Sequence, residues 1–213
     1  MKSLKWLYFV TAALLFVLAA CNNEDSSTSK GKTDAEESGT VIYQSSKGDI
    51  EVSANPQRVV VLSSYAGDLI KLGVPVVGVD SWSKTNPNLE AGLANATVVS
   101  NEDLEKIIEL NPDLIVGLDN IENADKLKEI APTVLFTYGE YDYLQQHIEI
   151  GKVLNKEAEA TAWVADFKER AKEIGQEIKT KIGADATLTV AENFDKQIYV
   201  FGDAWGRGTE ILY

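Results

Sequence analysis

Two places in the chain concentrate side chains able to do chemistry. The first is Cys21, the only cysteine in 213 residues, which directly follows Leu18-Ala19-Ala20. A lone thiol can be modified, but it forms no intrachain disulfide and no thiolate metal site. The second is Trp205-Gly206-Arg207-Gly208. The glycines let the backbone turn tightly and present the two large side chains. A guanidinium offers a planar fork of N–H donors to adjacent anionic oxygens, and an indole offers an apolar wall with a polar tip. Taken singly, Trp205 also fits a core plug and Arg207 a solvated charge. Catalytic groups are sparse elsewhere. The single histidine, His147, lies on a helical segment, far from the several His and carboxylates that a zinc or manganese site needs. It is expected at the surface or in interlobe packing. There is no P-loop, dinucleotide glycine fingerprint, nucleophile elbow or His-Glu metal helix, so an enzyme is not expected. Paired carboxylates follow from composition alone, with 33 Asp plus Glu.

The context of Cys21 gives it a role. Lys2 and Lys5 precede Trp6 to Ala20, a run of fifteen residues broken only by Thr11. A membrane span needs about 20 apolar residues. A short basic segment, a short apolar run and small residues before Cys21 make residues 1–20 a secretory signal peptide. Leu18-Ala19-Ala20-Cys21 resembles the lipobox of bacterial lipoproteins, in which the cysteine is lipidated and the peptide is cut just before it. Residues 21–40 then form the lipidated Cys and a tether. Residues 22–40 hold no large apolar residue and cannot offset ordering entropy by burial. Their root-mean-square reach is on the order of 25 Å. Without residues 1–20 the charge falls from −13 to −15, with 18 Lys plus Arg against 33 acids. That balance argues against nucleic acid, which needs clustered cations, and leaves the lipid to do the anchoring.

The elements that must hold the remaining groups come next. Thr40–Tyr43 and Ile50–Val52 flank Lys47-Gly48-Asp49, a hairpin signal. Arg58-Val59-Val60-Val61-Leu62 is a β-branched run, as in a strand buried on both faces. Ser63 or Ser64 is placed to cap a helix that Gly73 ends, and Val74–Val79 is a strand. A helix over Asp103–Leu110 stops at Asn111-Pro112. Leu114–Leu118 is a strand, Ala124–Ile130 a helix and Thr133–Tyr138 a strand. This alternation predicts a parallel sheet of right-handed βαβ units, an α/β lobe over 41–142. Residues 143–182 stay helical, with a turn at Asn155 and a long second helix. Trp163, Phe167, Ala171, Ile174, Ile178 and Ile182 recur along it at helical spacing. A helix from Lys156 to Ile182 would be about 40 Å long, enough to bridge two lobes. Residues 183–213 open a second lobe with a strand pair around Asp195-Lys196 and a loop at 202–208. They leave no room to close a sheet. The chain is therefore expected to be truncated relative to a two-lobe protein, with 55–182 able to fold and 186–213 poorly ordered alone.

Several segments together resemble the siderophore-binding lipoproteins of iron ABC importers. They are the lipobox, Asn55-Pro56-Gln57-Arg58-Val59-Val60-Val61-Leu62, Leu104-Glu105-Lys106-Ile107-Ile108 followed by Asn111-Pro112-Asp113-Leu114-Ile115, and Tyr199-Val200-Phe201-Gly202-Asp203-Ala204-Trp205-Gly206-Arg207-Gly208. The last is similar to the hydroxamate branch, of ferrichrome or ferrioxamine type. The resemblance implies a two-lobe periplasmic-binding-protein fold with a long interlobe helix, of which the second lobe is incomplete here. It implies a ferric siderophore in a shallow interlobe cleft, with iron held by the siderophore and no direct metal site or cofactor. Trp205 and Arg207 would contact the ligand, with Tyr199, Tyr138 and, more weakly, Trp82; Tyr141 and Tyr143 compete with Tyr138. Glu105 would dock on the permease, which works with its ATPase. The partners implied are thus the ferric siderophore, that permease and the membrane through the lipid on Cys21. A monomer on the extracytoplasmic face of a cytoplasmic membrane, of Gram-positive type, is expected. Two alternatives stay open: another chelate or corrinoid (catecholate, citrate, haem or cobalamin) in the same transport role, or a fragment that no longer binds ligand.

Overall fold

The computed structural model of the chain describes residues 39–183 and 185–202. Strands β1 (Thr40–Ser45) and β2 (Gly48–Ser53) form the expected antiparallel hairpin, turning at Ser46-Lys47. Gly48 sits at φ +120°, where a side chain would be strained. The hairpin sends Tyr43 and Val52 into the core.

Five parallel strands follow: β3 (Val59–Val61), β4 (Val76–Val79), β5 (Thr97–Val98), β6 (Leu114–Leu118) and β7 (Thr133–Phe136). Their spatial order is β5-β4-β3-β6-β7. Helices α1 (Ala66–Lys71), α2 (Ser81–Lys84), α3 (Glu90–Leu93), α4 (Leu104–Glu109) and α5 (Ala124–Ile130) lie in the connections. The sheet is buried on both sides. Val59 and Val61 join one apolar cluster with Leu69, Leu93 and Phe136, while Val60 joins another with Ile107, Ile115 and Leu127. That two-sided burial is why β3 is a continuous valine run. The expected serine cap of α1 is not made. Tyr65 occupies the cap position without a side-chain bond, and the buried Ser63 hydroxyl has no protein partner.

The two sequence motifs with an Asn-Pro pair interlock. The Asp113 carboxylate accepts the backbone N–H groups of Gln57 at 2.6 Å and Arg58 at 2.9 Å. In return Arg58 donates to the carbonyls just past the end of α4, from Nη2 to Leu110 at 2.6 Å and from Nε to Asn111 at 3.1 Å. A cation at a helix C-terminus also complements the helix dipole. These bonds fix the amino-terminal edge of β3 against that of β6.

Helix α6 (Tyr143–Val153) is capped by Asp142, whose carboxylate accepts from the N–H groups of Leu144 at 2.9 Å and Gln145 at 2.8 Å. Asn155 takes φ +55°, a conformation asparagine tolerates, and turns the chain as expected. Helix α7 (Glu157–Ile182) then runs 26 residues, about 39 Å at 1.5 Å per residue. Helix α6 and the start of α7 share the core of the sheet, through Ile150, Val153, Leu154 and Ala160. His147 departs from expectation. It is not at the surface or between lobes but 2% exposed inside this lobe. Its Nδ1 lies 2.7 Å from the Asp68 carboxylate of α1, and its ring lies 4.6 Å from that of Trp163 on α7. Burial of the ring is offset at Nδ1 by the Asp68 carboxylate, while the buried Nε2 has no protein partner.

Further along α7, Ile174, Ile178 and Ile182 are exposed. They line an apolar groove of about 410 Å³ with Phe167, Ala186 and Leu188. Strands β8 (Val190–Phe194) and β9 (Gln197–Phe201) make an antiparallel hairpin turned by Asp195 and Lys196, both at positive φ. Ile198, Val200 and Phe194 on it are exposed.

Candidate functional site

The strand order changes direction between β3 and β6. The chain steps outward from β3 to β4 and β5, then returns to place β6 on the other side of β3. Loops leaving the carboxyl ends of β3 and β6 diverge, and the crevice between them is where open α/β sheets bind ligands. Tyr65 follows β3 and Asp119 follows β6 at this point. The edge is stitched by backbone bonds: Leu62 N–H to Val116 O at 2.8 Å, Asp80 N–H to Val61 O at 3.2 Å, and Asp119 N–H to Phe136 O at 3.0 Å.

Two aromatic rings stand out along this edge. Tyr138, just beyond β7, is 86% exposed, and Trp82, in α2 beyond β4, is 80% exposed. Their strands are three sheet spacings apart, about 14 Å, so the rings flank the crevice. Gly139, at φ +80°, turns the chain directly after Tyr138. The competing tyrosines are spent on packing. Tyr141 packs against the core, and Tyr143 meets Phe167 edge to face at 6.0 Å. Trp82 is held out by a tight local cap. Asp80 accepts from Ser83 N–H at 2.8 Å and Ser83 Oγ at 2.7 Å, fixing the four-residue helix that carries it.

Between the rings the floor is polar. Tyr65 rests edge to face on Phe136 at 5.4 Å. Burial pushes its phenol up to about 12, and the nearby Asp68 and Asp119 carboxylates and the Tyr138 phenol add to that. Asp119 accepts from Thr137 Oγ1 at 2.6 Å and pairs with Lys47 of the first hairpin. Hydrogen bonds from Lys47 and Thr137 hold its carboxyl below the usual range. On the β5 side a depression of about 200 Å³ is lined by Leu62, Asp80, Ser81, Val99, Ser100 and Asp103. The Asp103 carboxyl is likewise held low, first by the Ser100 N–H and hydroxyl. Exposed Glu105, in the first turn of α4, stands on this same edge because α4 leaves β5 there.

The structure thus brings Trp82, Tyr138 and Glu105 to one edge. Tyr199 lies in the β8–β9 hairpin, opposite Glu192, with its hydroxyl 3.2 Å from Gln197 Oε1. Cys21, Trp205 and Arg207 lie outside the described residues. Sequence reasoning did not single out Tyr65, Asp119 and Lys47, which the structure places along this edge. The first two each follow a strand that was identified, so the rule that ligands sit beyond strand carboxyl ends could have found them. Lys47 reaches Asp119 across 72 positions of sequence, a pairing no local pattern encodes. Among the described residues no group of three or more His, Cys, Asp or Glu is arranged to hold a metal ion.

Residues 59–213 match the family described as periplasmic binding protein. The chain is 37% identical over 203 residues to the iron(3+)-hydroxamate-binding protein YxeB of Bacillus subtilis (strain 168), covering 94% of this chain and 63% of that one. It is 35% identical over 212 residues to the iron(3+)-hydroxamate-binding protein FhuD of the same strain, covering 96% of this chain and 65% of that one. The solved structure of FhuD2 from Staphylococcus aureus with bound ferrioxamine B aligns with a TM-score of 0.69 at 37% identity, covering 74% of this chain and 62% of that one. The chain therefore spans less than two thirds of the length of each of these relatives.

Proposed function

We propose, from the premise that this chain belongs to the periplasmic binding protein family, that it is the ligand-capturing component of an ABC importer for ferric hydroxamate siderophores. The observation that carries the reading is 37% identity, over 94% of the chain, to a protein named for iron(3+)-hydroxamate binding. The geometry of the carboxyl edge supports it. Trp82 and Tyr138, 80% and 86% exposed, offer apolar walls to a bulky chelate. Tyr65 and Thr137 offer hydroxyls between them. Tyr199, Trp205 and Arg207 would supply the opposite wall, Arg207 donating to hydroxamate oxygens that keep partial negative charge on iron. The siderophore itself holds the metal.

Delivery follows from the same reading. Glu105 would meet the permease, being exposed on the rim that carries the ligand. Residues 1–20 would be removed and Cys21 lipidated, mooring the protein on the extracytoplasmic face of the membrane by the 22–40 tether. The rim bears on the choice of chelate. Asp80, Asp103 and Asp119 all lie on it, so a strongly anionic catecholate complex meets repulsion that a neutral or cationic hydroxamate complex does not. Tryptophan fluorescence titration tests the reading. Saturable quenching by ferric ferrioxamine B, with none by ferric enterobactin, is the expected outcome. Quenching by the catecholate alone would move the chain to another ligand class, and quenching by neither would remove the binding role.

A further inference from the structure

Lys47 and Asp119 form a partly exposed ion pair between the first hairpin and the end of β6. Lys47 sits in the two-residue turn of the first hairpin, and its own N–H already donates to Ser45 Oγ at 3.1 Å. The side chains are 49% and 26% exposed, and half-wet pairs of this kind add little to stability. Their position is informative. Asp119 closes β6 at the crevice. Its Oδ2 takes both the Lys47 ammonium and the Thr137 hydroxyl, and Thr137 immediately precedes Tyr138. In the sheet order β6 lies between β4 and β7, so Asp119 sits between the strands that precede Trp82 and Tyr138, the aromatic groups assigned to the ligand wall.

Four neighbouring charges, Lys84, Asp80, Asp103 and Asp68, are committed to internal bonds, while Glu105 on the same edge is exposed. Lys84 donates to the carbonyls of Leu93 at 2.5 Å, Ala94 at 3.2 Å and Ala96 at 2.9 Å. Asp80 is bound to Ser83, Asp103 to Ser100 and Asp68 to His147. An ammonium, in contrast, has three donors, and that of Lys47 is bonded to one carboxylate oxygen at the end of a side chain that is half exposed.

We propose that Lys47 and Asp119 are a charge-selecting pair in the ligand site. Asp119 favours ferric chelates with a pendant cation, and Lys47 offsets that carboxylate so that neutral chelates are also admitted. The inference rests on the hydroxamate-binding reading above and deepens it. The pair is a specificity element, acting on the peripheral charge of the ligand rather than on the iron.

The test uses the whole chain and two probes that share one iron-hydroxamate core. Ferric ferrioxamine B carries a free ammonium, and its N-acetyl derivative does not. The readout is the ratio of their dissociation constants at low ionic strength, where exposed charges are least screened. Lys47→Gln should raise the preference for the cationic probe about five-fold, the Coulomb effect of one unit charge at roughly 8 Å in a half-wet site. Asp119→Asn should lower it by a similar factor, and the double variant should return the ratio to that of the unaltered chain. Far-UV circular dichroism checks that each variant is folded. An unchanged ratio in both single variants overturns the pair's role while leaving hydroxamate binding intact. Failure of the unaltered chain to bind either probe overturns the underlying reading as well.

Discussion

Replacing Ile150 by Ala tests whether α6 is part of the lobe's core or only a connector. Ile150 is 0% exposed and packs in the same cluster as Val59, Val116 and Phe136 of the sheet. Truncation removes three carbons from a site enclosed by the sheet on one side and α7 on the other. Large-to-small changes of this kind cost about 2–5 kcal/mol, the upper part of the range applying where neighbours cannot collapse into the cavity. The close crossing of α6 and α7 limits such collapse. A Cβ on Gly151 would come within 2.5 Å of Ala160 Cβ, so the helices are already at contact. A loss of about 3 kcal/mol is expected. Ile174 on α7 is the control, with the same side chain at 56% exposure; Ile174→Ala should cost no more than about 0.5 kcal/mol. Urea denaturation followed at 222 nm gives both values, compared at equal m. Equal losses for the two variants, or a loss below about 1 kcal/mol for Ile150→Ala, would refute the placement of α6 in the core.

Asp113→Ala should cost about 1–2 kcal/mol, because it leaves the N–H groups of Gln57 and Arg58 without their carboxylate acceptor; thermal denaturation measures this. Tyr138→Ala should weaken ferric ferrioxamine B binding about ten-fold, or about 1.4 kcal/mol. It should leave the melting temperature unchanged, since the ring is 86% exposed. The Tyr65 phenol, raised from 10.0 to about 12, should remain protonated at pH 11. The folded phenol is the weaker acid, so its contribution to stability is intact below pH 10 and is lost as pH rises toward 12. Ultraviolet difference titration of Tyr65→Phe against the unaltered chain reads it: a phenolate signal assignable to Tyr65 below pH 11 would contradict the burial argument.

The parts of the fold that sequence made legible are those with a strong local signal. Leu114–Leu118 and Ala124–Ile130 coincide with β6 and α5, because an apolar run and an Ala-Pro stop leave little choice. The Asn155 turn was legible because asparagine tolerates positive φ. The four-residue helices α2 and α3 and the two-residue β5 were not, since one helical turn shows no periodicity. Ser63 shows the limit of a residue rule. It has the composition of a cap, but the chain leaving β3 keeps it buried, and the helix begins after Tyr65. His147 shows another. A lone histidine on a helix gives no sign of its distant partners, Asp68 and Trp163, which only the packing of α1, α6 and α7 brings together. Among the candidate residues, Tyr138 came from a family match and Trp82 from its place after a strand; both are exposed, while Tyr141 packs against the core and the partly exposed Tyr143 meets Phe167. The polar floor was missed because Lys47 and Asp119 are neighbours only in three dimensions.

The claim that the carboxyl edge of this sheet is a wall of the ligand site is tested most directly by amide chemical-shift mapping. The probe is the gallium complex of ferrioxamine B, a diamagnetic analogue of the ferric form. The account predicts the largest shifts at Ser64, Tyr65, Asp119, Thr137 and Tyr138 and around Trp82, with the amino-terminal edge near Arg58, Asn111 and Asp113 unmoved. Shifts concentrated at that opposite edge, or in the groove of about 460 Å³ that Leu104, Ile108, Lys126 and Ile130 line between α4 and α5, would contradict it.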